Sequence, residues 1–176
     1  MRFPRSRRVT SILAFLISAL IILSAYAQVD VSALKAAYIF NFTEFTTWPL
    51  GSLSDAALVV CANRDTELGA ALAKLDGRNK GGRLWSVVPL PTRSGQCRCN
   101  VVVLESGAPI PSAVKEVLAS DQPVLVVSDF DTGDHTAIIR LFTEDNHLRF
   151  DIENQQALHR HLTLSSKLLR LARNVL

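Results

Sequence analysis

The chain of 176 residues is the size of one domain, and its 48% hydrophobic and 20% charged content excludes a disordered polymer. The net charge of +3 does not argue for nucleic-acid binding: Arg2, Arg5, Arg7 and Arg8 lie in the first eight residues, and without those four charges the remainder carries −1. No repeat or low-complexity tract is present.

The first element is a leader. "MRFPRSRR" is a positive n-region, Val9 to Leu23 an apolar stretch of 15 residues, and "AYA" (Ala25 to Ala27) places small residues where a signal peptidase reads them. Residues 1–27 are therefore expected to be a cleaved signal peptide, leaving Gln28 first and residues 28–176 as one exported domain. The rival is an uncleaved anchor, since Val9 to Val29 carries no charge. Arg7-Arg8 lacks the following residues that a twin-arginine signal uses. Export places the domain where disulfides persist.

"VSALKAAYIFNFTEFTTWP" (Val31 to Pro49) predicts a long helix, with Leu34, Tyr38, Asn41, Phe45 and Trp48 on one stripe and Pro49 ending it. On that stripe Asn41 is expected to be a buried, hydrogen-bonded amide, with a ligand contact as the alternative. "ALVVCA" (Ala57 to Ala62), "NVVVLE" (Asn100 to Glu105) and "PVLVVSD" (Pro123 to Asp129) are continuous apolar runs, as in strands covered on both faces. "RLWSVVPL" alternates and reads as a fourth strand. "DTELGAALAKLDG" and "PSAVKEVLAS" read as helices, and "AIIRLFTEDNHLRFDI" as a hairpin turning at Asp145-Asn146. The chain closes with one or two helices, the last with Leu164, Leu168, Leu171 and Val175 on one face. The expected fold is α/β: a single-domain layered sandwich, with a mixed sheet of about six strands flanked by helices on both faces.

Catalytic signatures are missing: there is no G-x-S-x-G elbow, P-loop or G-x-G-x-x-G. No enzyme activity, cofactor or metal is expected. His159 and His161 point to different sides of a helix. Loops at the C-terminal ends of parallel strands are where α/β proteins bind ligands. By that rule Asn63, after "LVVCA", and Asp129, Asp131 and Asp134, in "SDFDTGDH", are candidate ligand or partner contacts, a solvated turn being the plain alternative.

The three cysteines are Cys61, Cys97 and Cys99. A Cys97–Cys99 bond would close a very small ring, and three thiolates without a nearby histidine make a poor zinc site. One bond from Cys61 to either member of the pair is expected, leaving the third thiol spare. The C-x-C spacing does not suit a thiol oxidoreductase.

"LKAAYIFNFTEFTTWP" near the start of the domain and "LRFDI…LTLSSKLLRLARNV" at its end resemble the YfiR-like family of small periplasmic proteins. "LVVCANRDTELGAALAKLDG" and "CNVVVLE" between them resemble its middle motifs. The resemblance implies an α/β sandwich and an inhibitory role. Such a protein binds the periplasmic domain of an inner-membrane diguanylate cyclase and holds it off, and an outer-membrane lipoprotein can sequester the inhibitor. Relief raises cyclic-di-GMP and favours biofilm. A sensor kinase is the other partner considered, and a homodimer is a further expected assembly. The family's cysteine positions match Cys61 and Cys99, which selects that pair for the bond and leaves Cys97 as a free thiol. The chain departs from some relatives in having no cysteine between Thr132 and Arg149, so redox control resting on a second pair is not expected. The alternative function is a periplasmic small-ligand-binding protein that feeds a sensor or transporter.

Overall fold

The computed structural model describes residues 30–53, 56–93, 95, 98–133 and 136–176. The leader 1–27, Cys97 and Asp134 lie outside the described residues. In chain order the elements are α1 (Val31–Phe42), a 3-10 turn (Thr43–Phe45), β1 (Thr46–Thr47), β2 (Ala57–Ala62), α2 (Glu67–Ala73), β3 (Asn79–Lys80) and β4 (Arg83–Pro89). There follow β5 (Val101–Leu104), α3 (Ser112–Leu118), β6 (Leu125–Ser128), β7 (Ile139–Glu144), β8 (His147–Ile152), α4 (Asn154–His159), β9 (Thr163–Leu164) and α5 (Ser166–Leu171).

The main sheet runs β3-β4-β2-β5-β6-β7-β8. The five inner strands are parallel, while the two-residue β3 and the strand β8 join antiparallel at the edges, so the sheet is mixed. Among the described residues, six full strands and five α-helices make an α/β arrangement. Alternate residues explain why the inner strands read as unbroken apolar runs. Val60, Val101, Val103, Leu125 and Val127 face a core shared with α1, α2, α4 and α5, whereas Cys61, Val102, Leu104 and Val126 face a second core shared with α3. The hairpin turns where expected, Asp145 and Asn146 having φ of 49° and 59°, a conformation that Asp and Asn tolerate better than most side chains.

From β2 the chain winds outward to β4, then returns across β2 to β5, so the winding reverses between β2 and β5. Among the described residues no helix makes this return. The connection over residues 90–100 is instead fastened to β2. Cys99 is bonded to Cys61 with Cα atoms 5.7 Å apart. Asn100 continues the ladder beside it: its N–H donates to the Val59 carbonyl (2.8 Å) and its Oδ1 accepts from the Val59 N–H (2.8 Å).

Two helical expectations need correction. α1 ends at Phe42 and does not continue to Trp48. Threonine hydroxyls capture its final carbonyls, Thr43 donating to Phe40 (2.7 Å) and Thr46 to Phe42 (2.9 Å), and the chain then pairs β1 with β9. Its buried residues are Ala36, Ile39 and Phe42, so the core face is rotated from the predicted stripe, and Asn41 is exposed. Trp48 is buried and Phe45 partly so. The last helix stops at Leu171, and Leu171 and Val175 are 62% and 46% exposed, because residues 173–176 leave the helix to run along β8.

Both sheet edges are closed. On β8, the Ile152 N–H donates to Asn174, and the N–H groups of Arg173 and Leu176 donate to Phe150 and Ile152 (2.9–3.0 Å). On β4, Trp85 exchanges bonds with Gly77 and Arg78, the Asp76 carboxylate accepts from the Val87 N–H (2.7 Å), and Pro89 has no N–H to offer. Such covering keeps another chain from pairing with the edge.

Candidate functional site

The end of α1, strand β8 and helix α5 enclose a groove of about 630 Å³. Its floor is aromatic. Tyr38 and Phe42 meet edge-on (centroids 6.0 Å apart), and Phe150 packs against both, 5.0 Å from Phe42 and 6.2 Å from Tyr38. Phe45, Leu148, Leu168 and Leu171 add apolar lining, and Asn41, Glu44 and Arg149 supply the polar part. The Lys167 ammonium lies 5.1 Å from the centre of the Phe45 ring. An apolar concavity with a few polar groups is the usual form of a recognition surface. The sequence reading placed Phe45 and Asn41 on a core stripe. With the helix ended at Phe42, they line this groove instead.

A second set of polar groups lies at the C-terminal ends of β5 and β6. Lys35, the single charged residue of α1, bonds Asp129 Oδ2 at 2.8 Å, and Asp129 Oδ1 accepts from the Ser106 N–H at 2.8 Å. Glu105 lies beside them, 7% exposed. Its carboxyl is held above the ordinary range, first by desolvation and then by the neighbouring Asp129 charge, against the opposing effects of the Thr66 hydroxyl and of Lys35. Asn63 is used locally: its side chain accepts from the Asp65 N–H (3.1 Å) and its carbonyl from Thr66 Oγ1 (2.8 Å), shaping the turn into α2. Asp131 accepts from Arg140 (3.0 Å) and is largely exposed. The candidate residues Asn63, Asp129 and Asp131 therefore do not converge on one point, and Asp134 is outside the described residues. Among the described residues, no group of three or more His, Cys, Asp and Glu side chains is arranged to hold a metal ion.

The C-terminal motif is a clasp. Asp151, 5% exposed, accepts from Arg140 (2.9 Å), from Arg173 Nε (3.1 Å) and Nη2 (2.7 Å), and from Asn174 (3.1 Å). Desolvation alone would raise its carboxyl. The hydrogen bonds from Arg173 and then Arg140, with their charges, outweigh that and hold it below the ordinary value of 3.8. Arg173 also bonds Glu144 (2.6 Å) and lies 4.2 Å from the centre of the Phe142 ring. "LRFDI" and "LARNV" are thus two halves of one ion-pair network. Arg160 is likewise structural. Almost wholly buried, it donates to the carbonyls of Val117 (3.1 Å) and Leu118 (2.7 Å) at the end of α3.

Residues 32–173 match the YfiR/HmsC-like family. The chain belongs to that family. The matched span opens in α1 and closes at Arg173, so it takes in the groove, the disulfide and the Asp151–Arg173 contact of this YfiR/HmsC-like protein. No curated protein matches the chain significantly.

Of the polar groups described above, Asn41, Asn63, Asp129 and Asp131 were singled out from the sequence, whereas Glu105, Lys35 and Asp151 were not. Lys35 had a signal, a lone charge within an apolar helix. Glu105, at the end of an apolar run, had only a weak one.

Proposed function

We propose that the protein is a periplasmic regulator. It binds the periplasmic part of an inner-membrane signalling enzyme, a diguanylate cyclase, and holds it inactive, so lowering cyclic-di-GMP and restraining biofilm. The observation that carries this reading is membership of the YfiR/HmsC-like family over residues 32–173. The Cys61–Cys99 bond supports it, because a disulfide suits an oxidising compartment. The groove supports it as a contact surface with apolar lining and both signs of charge. On this reading residues 1–27 are a cleaved export signal, Cys97 is a free thiol, and the domain is an interaction module, not a catalyst. An outer-membrane lipoprotein is the partner that would withdraw it, and a sensor kinase the alternative target.

Tagged protein is used to capture partners from detergent-solubilised membranes, which are identified by mass spectrometry. A transmembrane diguanylate cyclase is the expected partner. A second reading, a small-ligand receptor, is favoured by the groove's size, about 630 Å³, inside the range of small-molecule sites (roughly 300–1,000 Å³). Capture of a transporter in place of a signalling enzyme would select it.

A further inference from the structure

The parallel strands all start from one end of the domain, and that end carries a convex tip. Between Trp48, which is buried, and Leu53, which packs on the core, the chain turns over Pro49–Ser52. The Ser52 N–H and hydroxyl both donate to the Pro49 carbonyl (3.2 and 2.7 Å), and Gly51 supplies the φ of 81° that the turn requires. Leu50, at the crest, is fully exposed. Cations flank it on two sides. On one side a cavity of about 290 Å³ is shared by Trp48, Leu53, Gly81 and Arg83, which places the β3–β4 turn beside the tip. That turn reads "RNKGGR" (Arg78 to Arg83), three cations and no anion, with Lys80 and Arg83 paired in register and the half-exposed Leu84 next in the chain. On the other side a cavity of about 460 Å³ is shared by Ser52, Ala57, Pro123 and Arg98. Arg78 and Arg98 are exposed and, among the described residues, make no ion pair. Glu44 is the one acid among the described residues that line these two cavities. Without the four leader arginines the chain carries −1, so this cationic end is a local feature and not a share of an overall basic charge.

We propose that this end of the domain is a membrane-docking surface: Leu50 enters the interfacial layer of a bilayer, and the cations at Arg78, Lys80, Arg83 and Arg98 meet anionic phospholipid headgroups. A bilayer is apolar within and anionic at its surface, which is the complement of a leucine tip with basic residues on both sides. It is also deformable, so a single convex tip enters it without a matching cavity, which a folded protein partner would have to supply. Each cation held close to such a surface strengthens binding about fivefold, an attraction that falls off within a Debye length, about 8 Å at physiological salt. One leucine and a few cations make a reversible, salt-sensitive contact and not an anchor. The surface is separate from the aromatic groove, and it does not depend on which membrane protein the domain regulates.

The test is co-sedimentation of the exported chain, residues 28–176, with vesicles of phosphatidylcholine alone and with vesicles in which about a third of the lipid is phosphatidylglycerol. Binding to the anionic vesicles only is expected, with most of it lost when salt is raised to about 0.5 M. Leu50→Ser and Arg98→Ser alter exposed side chains and should leave the fold intact while weakening binding about fivefold each. Arg64→Ser removes the same charge from an exposed position at the opposite end of β2 and should leave binding unchanged. Equal binding to both vesicles, or none to either, overturns the proposal. So does an Arg64→Ser protein that loses as much binding as Arg98→Ser, since the attraction would then follow total charge and not this end of the domain. Capture of an acidic membrane protein that is lost in Arg98→Ser, with no binding to pure lipid, would assign the surface to a protein and equally overturn it. Because the vesicles contain no protein, the outcome is independent of whether a cyclase is the target.

Discussion

Cys99→Ala removes the covalent fastening of the β4–β5 connection with little change in volume. Cys61 and Cys99 are separated by 38 residues, and a closed loop of that size restricts the unfolded chain by about 13 cal/mol/K, or about 4 kcal/mol at 25 °C. Both residues are buried, at 2% and 6% exposure, so the folded state keeps its packing around them and most of the loss is expected to appear as stability. With a urea slope of about 2 kcal/mol/M for a domain of this size, the unfolding midpoint should fall by about 2 M. The assay is equilibrium urea unfolding of the wild type, oxidised and reduced, beside the variant. Reduced wild type and Cys99→Ala should have coincident midpoints. The ladder from Asn100 to Val59 survives in both, so the fold should persist. A variant within about 0.3 M of the oxidised wild type, a shift worth less than about 1 kcal/mol, would refute the assignment of the bond as the fastening of this crossover. Alkylation of the non-reduced protein should label Cys97 alone.

Asp151→Asn replaces a carboxylate gripped by Arg140, Arg173 and Asn174, and should cost about 3 kcal/mol, the low end for breaking a buried pair because Arg173 is partly exposed. Because the site depresses the carboxyl, its stabilising effect is present above about pH 3.8 and lost as pH falls through the folded value; the acid limb of wild-type stability should therefore be shallower in the variant by chemical unfolding between pH 2 and 5. Gly69→Ala would place a Cβ 1.7 Å from the Asn63 carbonyl oxygen, which is backbone and cannot swing aside, so the melting temperature should drop by an amount equivalent to about 1–3 kcal/mol; an unchanged value would mean the turn at Asn63 yields freely. Leu171→Asp alters a groove residue that is 62% exposed and should leave the melting temperature within about 2 °C while abolishing membrane-partner capture.

What the sequence disclosed follows from which interactions are local. β2, β5 and β6 were legible because strands covered on both faces must be apolar at every position, and the hairpin because Asp145-Asn146 suits the left-handed backbone it adopts. The face of α1 was not legible: "ALKAAYIFNF" is apolar nearly all round, so no periodicity distinguished the Ala36–Ile39–Phe42 face from a stripe through Tyr38 and Asn41. The end of that helix depended on side-chain bonds from Thr43 and Thr46 that compete with helical hydrogen bonding. Asp151 finds Arg173 22 residues away and Lys35 finds Asp129 94 residues away, and spacing along a chain does not encode such pairs. The groove was hidden for the same reason. Its aromatic residues have the composition of a core, and only the early end of α1 and the exposure of Leu171 turn part of that surface outward.

The proposed restraint of a membrane diguanylate cyclase is tested by intracellular cyclic-di-GMP in cells lacking the gene and in the same cells supplied with wild type or with Leu171→Asp. The level should rise on deletion, return to the starting value with wild type, and not return with the folded, exported Leu171→Asp protein. A cyclic-di-GMP level that is unchanged by deletion and by resupply would contradict it.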